Sequence, residues 1–258
     1  NAPILDGSSL TSVPGFQIAS GVSDVTIKGF EIMNYNSGGI VGRGDGINNV
    51  TIENNFIHTV GNDGVLGGTS GTQILTGWAV AHNMIAGSGV NLDNIGDLSI
   101  SNNQISNPAP GNGIAISVMS RADSNSMIVS GVTISNNDIN GAINVFALAT
   151  GSLSVTVENV NISNNTSYGA INIEALAEGS SNATVKGVSI DGNTISGNFA
   201  GIDLRKQGSG TTSLQDFTIT GNSLAINNPK EDGCAVSLAN VSGSSSLSNN
   251  TVTVTGTI

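Results

Sequence analysis

The stretch VTISNNDI, Val132 to Ile139, places apolar residues at its first, third and eighth positions and asparagine at its sixth. The same frame recurs as VTIENNFI from Val50, LSISNNQI from Leu98, VSIDGNTI from Val188 and FTITGNSL from Phe217. Looser copies are VTIKGFEI from Val25, WAVAHNMI from Trp78, VNISNNTS from Val160 and SSLSNNTV from Ser245. Steps between successive frames are 25, 28, 20, 34, 28, 28, 29 and 28 residues, so a period near 28 dominates. The sixth position is Asn55, Asn83, Asn103, Asn137, Asn165, Asn193, Asn222 and Asn250 in eight of the nine copies, and Phe30 in the first.

Apolar alternation at period two predicts a strand with one buried face. A second strand follows, usually after glycine, as GVNLD from Gly89, GIAISV from Gly113, GAINVFAL from Gly141, GAINIEAL from Gly169, GIDLRK from Gly201 and CAVSLA from Cys234. A third, less regular strand is expected before some frames, as SLSVTV from Ser152 and NATV from Asn182. Two or three short strands per period describe a rung that cannot bury its apolar face alone and must stack on its neighbours. Asparagine suits a bend, but one bend residue repeated in register has a further use. Stacked one strand spacing apart, its amides can hydrogen-bond along the pile as a ladder.

Composition agrees. Charged residues are 10% of the 258, aromatic residues 3%, and Gly, Ser, Thr and Asn fill the space helix formers would occupy. The net charge of -11 argues against nucleic acid, since seven scattered Lys and Arg cannot neutralise a phosphate track. No apolar run reaches the ~18 residues of a membrane helix, so membrane insertion is not expected. The single cysteine, Cys234, excludes an internal disulfide and is expected to be a small buried residue.

The frame, together with PILDGSS and GFQIASGVSDVTIKGFEI near the start, resembles the right-handed parallel β-helix proteins of the pectate-lyase-like superfamily, from about Pro3 to Val254. The resemblance implies an all-β, single-domain right-handed parallel β-helix of about nine rungs: a first rung over 1–24, repeat rungs over 25–244, and a last rung with a terminal strand over 245–258. That superfamily holds polysaccharide lyases, glycoside hydrolases, sugar epimerases, phage tailspikes, adhesins and non-catalytic surface proteins, so the fold alone does not choose a function.

Outward rows must choose it. On the frame strand these rows read mostly Ser and Thr, interrupted by Lys28, Glu53 and Asp191, which supports ice binding only as a minor alternative. On the second strand the outward pairs are Asn91/Asp93, Ala115/Ser117, Asn144/Phe146, Asn172/Glu174, Asp203/Arg205 and Ser237/Ala239. Asn144, Phe146, Asn172, Glu174, Asp203 and Arg205 are candidate sugar contacts on a solvated face, with Glu174 and Arg205 expected to pair across rungs. If the chain is an enzyme, the candidates are Lys28, Glu53, His58 and His82 on the N-terminal rungs. The adjacent Asp residues with a Gly-His-Gly turn of polygalacturonase-like members are absent, as is the Tyr-Asp-His motif of alginate epimerases. No cofactor or metal is expected. Calcium sites in the family use clustered carboxylates, and the tightest pair here is Glu231-Asp232. The tripeptide Arg43-Gly44-Asp45 and the sequons at Asn49, Asn161, Asn164, Asn182, Asn240 and Asn249 carry little weight in a chain so rich in these residues.

No helical cap precedes NAPILDG, and TVTVTGTI closes the chain as an alternating strand. Either neighbouring segments are missing or copies meet head to tail, a contact that builds filaments. The leading expectation is therefore an extracellular or cell-surface rod with a structural, self-associating or matrix role and sugar contact on the second-strand face. The alternative is a polysaccharide lyase or glycoside hydrolase.

Overall fold

The computed structural model describes residues 2–69, 73–106, 114–122, 124–197, 201–227, 234–238 and 240–255. Their strands form three long parallel sheets, which wind as a β-solenoid. Frame strands such as Val50–Glu53, Leu98–Ser101 and Ser154–Ser163 make sheet 1, of nine strands among the described residues. Short strands after the asparagine, such as Phe56–His58, Met84–Ala86 and Asp138–Asn140, make sheet 2, of ten. Strands after the glycine, such as Val90–Asp93, Ala142–Ala149 and Ile171–Ala177, make sheet 3, of nine.

This assigns the third strand differently from the sequence expectation. SLSVTV and NATV do not form a sheet of their own. They run on into the frame as the ten-residue strands Ser154–Ser163 and Asn182–Asp191. Left-handed residues Asn159 and Gly187 mark the kink within each, which leaves the inward alternation intact on both sides. Sheet 2 supplies the remaining strand of each rung instead, from the seventh and eighth frame residues and the one after. Its inward side chain is the eighth frame residue: Ile57, Ile85, Ile105, Ile139, Ile195 and Leu224, all buried.

The core is a column of stacked aliphatics. Val132, Val160 and Val188 lie in register, as do Ile134, Ile162 and Ile190, and all six are at most 1% exposed. Aromatic side chains interrupt the stack: Phe217 continues the Val188 column, and Trp78 fills a wider gap. Trp78 is buried and donates its indole N–H to the Ile47 carbonyl at 2.8 Å. Its ring takes the room left by two glycines of sheet 3: a Cβ at Gly42 would lie 2.7 Å from it, and one at Gly67 2.5 Å.

The bend between sheets 1 and 2 is built from two successive frame positions. The fifth residue is left-handed in every rung: Gly29, Asn54, His82, Asn102, Asn136, Asn164, Gly192, Gly221 and Asn249 all have positive φ. Glycine and asparagine bear that conformation at least cost, and His82 is the exception. The sixth residue points inward. Each Nδ2 from Asn55 to Asn222 donates to Oδ1 of the next asparagine at 2.9–3.0 Å. The same Oδ1 accepts the backbone N–H of the asparagine below, as from Asn137 to Asn165 at 3.0 Å. Nδ2 also reaches a frame carbonyl of the rung below, as from Asn137 to Ile100 at 2.9 Å. A side chain 1–2% exposed thereby meets the rule that buried polar groups be paired.

Candidate binding face

Sheet 3 presents three outward rows, fixed by its register. Asn91, Ser117, Asn144, Asn172, Asp203 and Ser237 form the first. The second runs Arg43, Gly68, Asp93, Met119, Phe146, Glu174, Arg205. A third, present where the strands are long, runs Arg121, Leu148, Leu176, Gln207.

The first row is not the solvated row expected. Asn144 is 4% exposed and Asp203 8%. Neighbours close over them: Asn172 Nδ2 donates to Asn144 Oδ1 at 2.7 Å, and Arg205 Nε donates to an Asp203 carboxylate oxygen. Arg205 thus engages the carboxylate of its own strand. Glu174 remains its rung neighbour and feels its charge, without the expected ion pair. Two further expectations on this sheet need correction. Ala115 is buried at an irregularity in register between Ile114 and Ile116 rather than outward. Cys234 is exposed, because it precedes the edge strand Val236–Leu238 instead of lying within it. Ala239 and Glu231-Asp232 lie outside the described residues.

Rows two and three are half-buried over Met119, Phe146, Leu148, Glu174 and Leu176. Met119, Phe146, Leu148, Leu176, Ala147 and Glu174 line a cavity of about 240 Å³, apolar apart from one carboxylate. Burial pushes the Glu174 carboxyl up from its ordinary value, the nearby Arg205 draws it down, and Asp203 pushes it up further. Toward the N-terminal rungs the face becomes polar. Arg43 reaches past Gly68 to pair with Asp93 at 3.2 Å. Asp93 is 7% exposed, and its Oδ1 is buried without a hydrogen-bond partner among the described residues. Burial pushes Asp93 up, Arg43 and then Arg121 oppose this, and Asp63 adds to it. Asp63, in the turn before Val65–Gly68, is pushed up by burial too, against a hydrogen bond from Asn91 and the charge of Arg43. Beside them Ser20, Arg43, Gly44, Asp45, Gly68 and Thr69 line a polar depression of about 360 Å³. Asp63, Asp93 and Arg121 were not singled out as a group in the sequence, because turn and strand ends from different rungs bring them together. Arg43 stands in the Arg-Gly-Asp tripeptide, and its side chain is engaged by Asp93.

Of the four enzyme candidates, Lys28, Glu53 and His82 lie on or beside sheet 1 and His58 on sheet 2. Lys28 and Glu53 pair at 2.7 Å on the outer face of sheet 1. His58 is on sheet 2, bonded to Glu31 at 3.1 Å and stacked on Phe56 at 4.3 Å. His82 stands exposed in the left-handed bend. On sheet 1 a second ion pair, Lys186–Glu158 at 2.9 Å, lies on the strand extensions that precede the frame. Among the described residues no three His, Cys, Asp or Glu side chains gather as metal ligands, and no helix is long and apolar enough to cross a membrane.

The sequence matches a protein family described as the right-handed beta helix region, over residues 4–147. No curated protein and no solved structure matches it.

Proposed function

The chain belongs to the right-handed beta helix family, and on that premise we propose that it is a polysaccharide-contacting rod that seats a neutral glycan along sheet 3. The observation that carries this is the half-buried apolar step of Met119, Phe146, Leu148 and Leu176, with Glu174 at its edge. An apolar or aromatic floor with a few placed polar groups is the usual make-up of a small-molecule site. Sugar rings offer C–H faces to such a floor and hydroxyls to its edges. Charge narrows the class. All three arginines of the chain, Arg43, Arg121 and Arg205, are on this sheet. Each, however, has a carboxylate acting on it or paired with it: Asp93 for the first two and Asp203 for the third. With Glu174 and Asp63 beside them, the carboxyl groups around these arginines outnumber them, and the chain as a whole is acidic, which disfavours an acidic glycan.

Affinity electrophoresis tests this. Gels containing soluble neutral polysaccharides (xyloglucan, galactomannan, mixed-linkage glucan) should retard the protein, and gels containing polygalacturonate should not. Phe146→Ala should lose most of the retardation. Equal mobility in every gel, or undiminished retardation of the variant, would overturn the reading.

A second reading, a carbohydrate-active enzyme, is supported by one observation. Asp63 and Asp93 lie close enough for each charge to act on the other, and burial pushes both carboxyls up, the direction in which a general acid is tuned. Release of reducing ends that stops in Asp63→Asn and Asp93→Asn would favour it. No release from any polysaccharide that the protein binds would dismiss it.

A further inference from the structure

Sheet 2 carries a narrow outward strip on a different side of the solenoid. Its strands are mostly three residues long, with the middle one buried, so the strip is two side chains wide. One row reads Phe56, Met84, Gln104, Asp138, and the other His58, Ala86, Ser106, Asn140, in register along the axis. Tyr168 stands just beyond Asn140, its backbone N–H on the Ile139 carbonyl at 2.9 Å. Together Gln104, Ser106, Asp138, Asn140 and Tyr168 line a groove of about 250 Å³.

Three features point to a ligand. Exposed rings stand at both ends, Phe56 at 37% and Tyr168 at 54%. The four steps between them span ~19 Å at a parallel strand spacing. Between the rings, the side chains of Gln104, Ser106, Asp138 and Asn140 show no hydrogen bond within the chain among the described residues. This contrasts with sheet 3, where Asn144, Asp93 and Asp203 are bonded to neighbours. The shape also selects. Two side chains of width suit a linear molecule lying along the axis, not the ~800 Å² that a globular partner covers. The chain's charge of -11 and the Asp138 carboxylate repel nucleic acids and polyanions.

We infer that this strip is a second glycan site, which takes a linear neutral oligosaccharide with one sugar ring on Tyr168 and hydroxyls on Gln104, Asp138 and Asn140. It shares its ligand class with the sheet 3 reading but none of its residues. A rod with two such faces holds two chains at once.

Tyrosine ring NMR isolates this site. The chain has two tyrosines, of which Tyr35 is buried and Tyr168 exposed. Protein labelled with carbon-13 in the tyrosine rings should give two ring signals, and Tyr168→Ala assigns them. Titration with cellohexaose, xylohexaose and mannohexaose should shift the Tyr168 signal with at least one sugar and leave Tyr35 still. The same shift should persist in Phe146→Ala and be weakened several-fold in the double variant Gln104→Ala/Asn140→Ala. A Tyr168 signal unmoved by all three sugars, or one that moves only while Phe146 is intact, overturns the second site. Retardation in polysaccharide gels alongside an unmoved Tyr168 would do so while leaving sheet 3 in place.

Discussion

Arg43 reaches Asp93 across a rung that offers no side chain: Nη2 and Oδ2 are 3.2 Å apart, and the residue between them in the row is Gly68. Gly68 has φ +123, and a Cβ there would strike the Asp93 carbonyl. Gly68→Ala should therefore destabilise the protein twice over, by backbone strain and by overlap, by roughly 2–4 kcal/mol in urea unfolding. A change under 0.5 kcal/mol would show that the rung yields and that the bridge does not depend on glycine.

Ladder asparagines should be among the costliest polar residues to replace. Asn137→Ala removes the acceptor for Asn103 Nδ2 and its backbone N–H, and the donor to Asn165 and Ile100. Leaving buried groups unpaired costs about 1–3 kcal/mol each. Chemical denaturation should show a loss of at least that size. Asn136→Ala, one residue earlier but exposed, should lose less, through its left-handed φ of 55 alone. Equal losses would mean the ladder adds nothing beyond turn geometry.

Burial pushes up the carboxyls of Asp63, Asp93 and Glu174. A folded carboxyl with a raised pKa keeps its proton where the unfolded one has lost it. Its contribution to stability therefore falls as pH rises from the ordinary carboxylate range to the raised value, and is constant above that. Asp6, lowered by hydrogen bonds from Asn34 and Ser8, has the opposite sign but is solvent-exposed. Across that window the melting temperature of Asp93→Asn/Glu174→Gln should fall less steeply with rising pH than that of the wild type. The slope is the test, because loss of the Arg43 partner shifts the whole curve. Parallel slopes would contradict the burial.

Packing around Trp78 gives a further prediction. With the indole 2.5 Å from the place of a Cβ, Gly67→Ala should overpack the core and cost ~1–3 kcal/mol. Trp78→Leu in the same chain should recover part of that loss. Failure of the pair to interact in a double-mutant cycle would separate the two positions.

Much of this architecture was legible in the chain. Frame strands announce themselves because Val132, Ile134 and their equivalents alternate, and the asparagine recurs at one place. Sheet 2 was harder to read, because a three-residue strand buries one side chain, and the isolated Ile57 or Ile139 has no alternation to reveal it. His82 looked like chemistry because its histidine stands out. Its place in the frame, where other rungs use Asn or Gly, was the better guide. The acidic cluster was hidden for another reason. Asp63 lies in a turn and Asp93 at a strand end, so stacking joins them while no sequence pattern does. Asn144 and Asp203 were placed on the correct face, but alternation cannot say that a neighbour's side chain will cover them.

Methionine methyl NMR tests the central claim most directly. The chain has four methionines: Met119 lines the apolar cavity of sheet 3, Met33 and Met84 lie on sheet 2, and Met127 is buried. On addition of a neutral polysaccharide that retards the protein in gels, the Met119 methyl signal should move and that of Met127 should stay in place, with the Met119 response lost in Phe146→Ala. A Met119 signal that stays fixed while such a glycan is bound would contradict the account.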